Sequence, residues 1–287
     1  MHHIAVLQKE VIQYLDPKPN ENFIDATIDG GGHATIILEK NGPRGEVLGI
    51  EIDKQLFRSL KTKDRLVLVN DSYLNLKEIV ERKKFRKIAG ILFDLGMSSW
   101  HLEESGRGFS FLRNEPLDMR YHSQSPLTAK KIVNYYSFVE IEKILREYGQ
   151  EKFSQRIAKE IIESREIQPL KTTWQLAEIV RKAVPVNYER GRINPATRAF
   201  QAIRIAVNDE LNNLKKVLPQ ALEILDKNGR LVIISFHSLE ERIVKNFFRE
   251  NKDFLKILTK KPINPSLEEI KNNPRSRSAK LRAAIKQ

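Results

Sequence analysis

The chain has 287 residues, 40% of them apolar and 30% charged. That is enough for one large α/β core, or a core with an inserted domain, and it excludes a disordered chain. There is no cysteine, which excludes disulfides, thiolate catalysis and cysteine-held zinc.

The formal net charge is +13, and Lys245 to Gln287 holds twelve Lys or Arg against four Asp or Glu. Such an excess suits a polyanion, nucleic acid first, or else a basic surface that only keeps the chain soluble. Met1 to Ala5 shows no basic region running into an apolar one, and no stretch approaches 18 apolar residues. Neither a signal peptide nor a membrane span is expected, and a cytoplasmic location is.

In chain order, Val6 to Leu15 has the pattern of an amphipathic helix, stopped by Asp16-Pro17. Phe23 to Thr27 predicts a strand, Gly30-Gly31-Gly32 a turn, and Ala34 to Lys40 a helix. A second strand spans Gly45 to Ile52 and ends at Asp53, before a helix from Lys54 to Lys61. Leu66 to Val69 and Ile88 to Phe93 predict a third and a fourth strand. This alternation points to a doubly wound parallel α/β sheet, Rossmann-like. From Leu127 to Val184 the apolar spacing is helical only. A helix opening at Asn194-Pro195-Ala196 would then return to the sheet. Leu218 to Leu225 predicts another helix, and Gly229 to Phe236 a further strand. The expected domains are therefore 1–103 with 201–287, and an inserted all-helical domain at 104–200.

Two stretches carry the candidate chemistry. The turn from Asp25 to His33 joins a strand to a helix, where exposed N–H groups receive ligands. Thr35 stands where a dinucleotide fingerprint would need its third Gly or Ala, which weakens a nicotinamide reading. Asp53, 21 residues after Gly32, is placed to accept from ribose hydroxyls or to cap the next helix. Tyr73 offers a face for adenine or ordinary packing. The second stretch, Asp94 to Arg120, leaves an apolar run at an acid and a glycine, then sets Gly, Phe and Arg close together without helical or strand period.

Four long stretches resemble the bacterial RsmH (MraW) family: Asp25 to His33, Asp94 to Arg120, Asn194 to Ile205, and Ile233 to Lys245. The tail from Asn273 to Arg282 is similar too. Members are S-adenosylmethionine-dependent methyltransferases that modify the N4 amine of a decoding-centre cytidine in 16S ribosomal RNA. The resemblance implies that cofactor, and 16S rRNA or the small ribosomal subunit as partner. It implies that Gly31, Gly32 and His33 meet the methionine end, Asp53 the ribose and Tyr73 the adenine side. Asp94 would lie by the sulfonium and the incoming amine, and His101 would make a further contact. This chain departs from the pattern at Asp29 (usually Gly), Ala34 (usually Ser) and Trp100-His101 (usually Pro-Gln). Asp29 could pair with the ligand's ammonium or repel its carboxylate.

Cytosine N4 is a weak nucleophile because its lone pair is delocalised, so catalysis rests largely on alignment. Asp94 is the candidate to orient the amine, or to serve as loop cap or cofactor ligand. Phe109 and Phe111 could stack on nucleotides or fill the helical core. Arg107, Arg113 and Arg120 could grip phosphates, as could Arg198, Lys260, Lys261, Arg275 and Arg277. His237 either faces ligand or caps the helix that follows. The histidines show no metal-ligand spacing, so no metal is expected. Competing readings are a methyltransferase acting on another nucleic acid or on protein, and a non-catalytic RNA-binding assembly protein. A homodimer is left open.

Overall fold

A computed structural model describes residues 5–188 and 194–287. The Met1 to Ile4 part of the N-terminus lies outside the described residues. Seven strands form one sheet: β1 (Asn22–Asp25), β2 (Val47–Glu51), β3 (Leu66–Asn70), β4 (Ile88–Asp94), β5 (Arg230–Ser235), β6 (Leu255–Ile257) and β7 (Lys280–Lys286). Their order is β3-β2-β1-β4-β5-β7-β6. β1 to β5 are parallel, and β7 runs antiparallel between β5 and β6. β1 to β5 thus form the doubly wound parallel sheet expected from the sequence, and the antiparallel β7 makes the sheet as a whole mixed.

Helices α1 (Gln8–Leu15), α2 (Gly32–Lys40), α3 (Lys54–Ser59) and α4 (Leu76–Lys83) alternate with the first strands. After β4 come α5 (Ser99–Glu103), α6 (Ala129–Tyr135), α7 (Phe138–Gly149), α8 (Ser154–Ile167), α9 (Thr173–Ala183) and α10 (Ala196–Asn208). Then α11 (Glu210–Ile224) leads into β5, α12 (Ser238–Glu250) follows it, and α13 (Leu267–Asn272) precedes β7.

The middle strands are continuous apolar runs because both faces are covered. Ile91 and Phe93 of β4, with Leu231 and Ile233 of β5, pack against α4, α11 and α12. Leu92, Val232 and Ile234 point the other way and pack against α1 and α2. Period-two alternation thus feeds two separate cores.

The chain divides into two compact units, one of Met1–Ser98 with Leu211–Gln287, the other Ser99–Glu210. The helical unit is larger than the expected 104–200. It takes in α5 and α10, and α10 packs on α7. Apolar spacing put a helix at the right place but could not choose its neighbour. The helix that does cover the sheet is α11, which begins eight residues before the expected Leu218 and runs through Pro219. Pro219 lies on its exposed side.

Candidate active site

In the sheet unit the chain leaves β1 for β2 and β3 on one side and resumes with β4 on the other. Such a reversal opens a crevice at the carboxyl ends of the strands. The last residues of β1, β2 and β4 there are Asp25, Glu51 and Asp94, and all three are buried. Thr27 ties two of these ends together. Its Oγ1 accepts from the Asp94 N–H at 2.6 Å, and its N–H donates to Asp25 Oδ1 at 3.3 Å.

The glycine turn adds the fourth group. Gly31, at φ 76°, caps α2 in the left-handed region where a side chain would be strained. α2 then carries His33 inward, and His33 Nε2 lies 3.4 Å from Asp94 Oδ2. Neither His33 Nε2 nor Asp25 Oδ2 has a hydrogen-bond partner among the described residues, although both are buried. Buried polar atoms are rarely left so, and at a crevice they mark atoms that a ligand would satisfy. Ala34 is turned away into the core between α2 and the sheet. The Ser-to-Ala departure therefore removes no side chain from the crevice.

Two further acids complete the group. Ile28 N–H bonds Ile50 O at 3.1 Å, which holds the turn over the end of β2. Asp29 follows in a left-handed conformation, φ 45°. Asp53 N-caps α3, its Oδ1 accepting from Gln55 N–H at 2.9 Å and Leu56 N–H at 3.3 Å. Its own N–H donates to Glu51 Oε1 at 2.7 Å.

Burial, reinforced by Asp94, pushes the Asp25 carboxyl up to about 6, with His33 pulling against it. Burial, with Asp53 and Asp25 adding to it, pushes Glu51 up to about 8. Asp29 is raised well above the usual range, first by the protein packed around its carboxyl and then by Glu51, Asp94 and Asp25. Crowded carboxyls in low dielectric resist ionising together. A cationic ligand would relieve that repulsion.

Tyr73 follows β3 and packs edge-on to Phe93, ring centres 6.0 Å apart. Gly96 just beyond β4 has no room for a side chain, since a Cβ there would meet the Phe236 ring at 2.7 Å. His237 accepts the Glu240 N–H at Nδ1 and caps α12. The capping alternative raised for it is what the structure shows.

The helical unit holds the rest of the Asp94 to Arg120 block, and it assigns packing roles to several expected RNA contacts. Phe109 is buried and stacked on Tyr121 at 5.1 Å, so it presents no face to a nucleotide. His101 is enclosed by Trp100, Phe109 and Tyr121. Arg107 lies over Trp100 and donates to the carbonyls of Arg120 and Tyr121. Arg120 pairs with both carboxylate oxygens of Asp118, at 2.7 and 2.8 Å, and donates to Ser125 O. Phe111 packs on Phe200, and Arg198 donates to Gln150 O at 3.1 Å. Arg113 is exposed and its guanidinium reaches Glu103 O. In the sheet unit Lys260, Lys261, Arg275 and Arg277 are all exposed.

Glu51 and Thr27 escaped the reading of the sequence as site residues. Glu51 had a signal, an acid at the last position of an otherwise apolar strand; Thr27 had none.

A mixed sheet in this order, with acids ending β1, β2 and β4 around the reversal, is a Rossmann-like fold with a ligand crevice at its switch point. The chain belongs to the MraW methylase family, whose profile matches residues 1–287. It is 47% identical over 289 residues to ribosomal RNA small subunit methyltransferase H of Sulfurihydrogenibium sp. (strain YO3AOP1), which covers 98% of each chain. The protein of that name from Heliobacterium mobile is 44% identical over 308 residues, covering 99% of each. Among solved structures, an rRNA methylase from Streptococcus thermophilus gives a TM-score of 0.43 at 10% identity, over 97% of this chain and 93% of that one.

Proposed function

We propose that the protein transfers a methyl group from S-adenosylmethionine to the N4 amine of a decoding-centre cytidine in 16S rRNA. The observation that carries this reading is the buried group at the strand ends: Asp94 beside His33, with neither Asp25 Oδ2 nor His33 Nε2 in a hydrogen bond. The cofactor is a cation that also carries an ammonium and ribose hydroxyls, and crowded carboxyls with an unused acceptor fit it. When bound it supplies the methyl group on a sulfonium. Asp53 is placed to accept from the ribose, with Tyr73 toward the adenine and Gly31, Gly32 and His33 toward the methionine end.

Asp94 orients the amine. Its Oδ1 is held by the Gly96 N–H at 3.2 Å, and Thr27 fixes its backbone. A carboxylate so fixed can accept an N4–H bond, localise the lone pair toward the methyl carbon, and take or pass on the proton that N4 loses. The name shared by the curated relatives supports ribosomal RNA of the small subunit as substrate. The exposed basic residues of the C-terminal segment, Lys260, Lys261, Arg275 and Arg277, serve as phosphate contacts in this reading, and so does Arg113. Because Phe109, Arg107 and Arg120 are engaged within the helical unit, they shape that unit rather than grip RNA. The unit itself serves to recognise the substrate.

The test is transfer of labelled methyl from S-adenosylmethionine to small ribosomal subunits that lack the modification. Asp94→Ala should cut turnover by about 10²-fold or more, the range for a positioned acid–base group. RNA affinity should change little, because it is spread over many phosphates. Normal turnover in Asp94→Ala would remove the carboxylate from the chemistry.

A further inference from the structure

We propose that Asp29, grouped with Asp25, Glu51 and Asp94, makes the cofactor crevice charge-selective, so that it holds the sulfonium donor in preference to the thioether left after transfer. The inference rests on the reading of the crevice as an S-adenosylmethionine site. Transfer carries the methyl from sulfur to the amine nitrogen, the nitrogen gives up a proton, and the sulfur keeps the electron pair of the broken bond. Donor and product then differ by one methyl and one positive charge. A pocket that distinguishes them strongly must do so mainly by charge.

The carboxyls come from adjoining elements. Asp25 and Glu51 end neighbouring parallel strands, with Asp25↔Gly49 in register, and Asp94 ends β4 on the other side of β1. Asp29 is brought over the end of β2, where Glu51 stands, by the Ile28–Ile50 bond. The charges that act on Asp29 are Glu51, Asp94 and Asp25, all acidic. Those acting on Glu51 are Asp53 and Asp25. Those acting on Asp25 are His33 and Asp94, so His33 alone is basic among them. No Lys or Arg among the described residues enters that set. His33 Nε2 is buried at the same spot without a hydrogen bond, 3.4 Å from Asp94 Oδ2, and Asp25 Oδ2 likewise has none; both are atoms a ligand would satisfy.

In the ligand-free protein desolvation and mutual repulsion oppose ionisation of half-buried Asp29 and buried Glu51, which raises both carboxyls above their usual range. A cation arriving nearby reverses the balance. Donor binding should therefore expel protons, and binding of the neutral-sulfur product should expel fewer. The preference for donor over product should rise with pH as the carboxyls charge.

The experiment is calorimetry of S-adenosylmethionine and S-adenosylhomocysteine binding to the full chain, in two buffers of different ionisation enthalpy, from pH 6 to 9. Asp29→Gly suits the positive φ and so leaves the turn intact, and Asp29→Asn keeps the side chain's size without its charge. The parent should release more protons with donor than with product. Both variants should narrow that difference and weaken donor binding about tenfold, the scale of one charge at short range in a partly polar site, while product binding shifts much less. Equal proton release for the two ligands, or an equal loss of both affinities in the variants, overturns the charge selection while leaving the cofactor site standing. A parent that binds neither ligand overturns the cofactor reading and this inference together.

Discussion

Asp53 carries two duties that substitution can separate. Its carboxylate caps α3 through Gln55 and Leu56, and in the proposed function it holds the ribose. Asn caps a helix about as well as Asp, whereas Ala forfeits roughly 0.5–2 kcal/mol of stability. Asp53→Ala should therefore lower both stability and cofactor affinity. Asp53→Asn should keep the unfolding midpoint and still lose about 1.5–3 kcal/mol of cofactor binding, the range for a bond to a charged group. Titration calorimetry beside thermal melting of both variants reads the two duties, and intact cofactor affinity in both would place Asp53 outside the site. The neighbouring carboxyls link stability to pH in the direction opposite to surface acids. Burial raises Asp25 from 3.8 to about 6 and Glu51 from 4.5 to about 8 in the folded chain. Between those values the native state holds protons that the unfolded state has released, so stability is full below the unfolded values and falls as pH rises through about 6 and about 8. Melting curves of ligand-free parent and Glu51→Gln should diverge across that window, the variant declining less. Parallel curves would show that Glu51 is already ionised in the folded protein.

At the scale of elements, β7 shows most clearly how the fold is held. It lies between β5 and β6, pairing Ile233 with Arg282 and Ile234 with Leu281. Leu281, Ala283 and Ala284 are fully buried, and Arg282 is buried with its guanidinium on Glu241 of α12. Leu281→Ala should cost about 2–5 kcal/mol, the usual range for emptying a core leucine site. Urea denaturation measures it, and a loss below about 1 kcal/mol would mean that β7 is only loosely docked. This strand is also where the sequence was least legible. β1, β2, β4 and β5 announce themselves as unbroken apolar runs that end in acid or serine, because helices cover both their faces. Lys280-Leu281-Arg282-Ala283-Ala284-Ile285-Lys286 mixes two large apolar side chains with small and charged ones and reads as part of a basic tail. Only its place inside the sheet makes two alanines a core. The site divides in the same way. The glycine turn, Asp53 and Asp94 were visible because each interrupts a pattern. Phe109 takes the packing role that the sequence left open, and Arg120 pairs with Asp118; composition alone does not show that Tyr121 and Asp118 occupy them.

Across the whole molecule, charge is distributed by role. The crevice gathers acids that suit a cationic cofactor, while the chain as a whole carries +13. Lys260, Lys261, Arg275 and Arg277 are exposed on the sheet unit. Neutralising all four should lower RNA affinity and flatten the dependence of log affinity on log salt, by about 0.7–0.9 for each phosphate that is no longer neutralised. Cofactor affinity should not change. Identical salt slopes for variant and parent would make these residues solubilising only. The central claim is the position of the transferred methyl. Small ribosomal subunits lacking the modification are incubated with the protein and methyl-labelled S-adenosylmethionine, the 16S rRNA is digested, and the nucleosides are separated by mass spectrometry. The predicted result is label on the N4 amine of cytidine at one decoding-centre position; label on a ribose hydroxyl, on a ring carbon or on protein alone would contradict it.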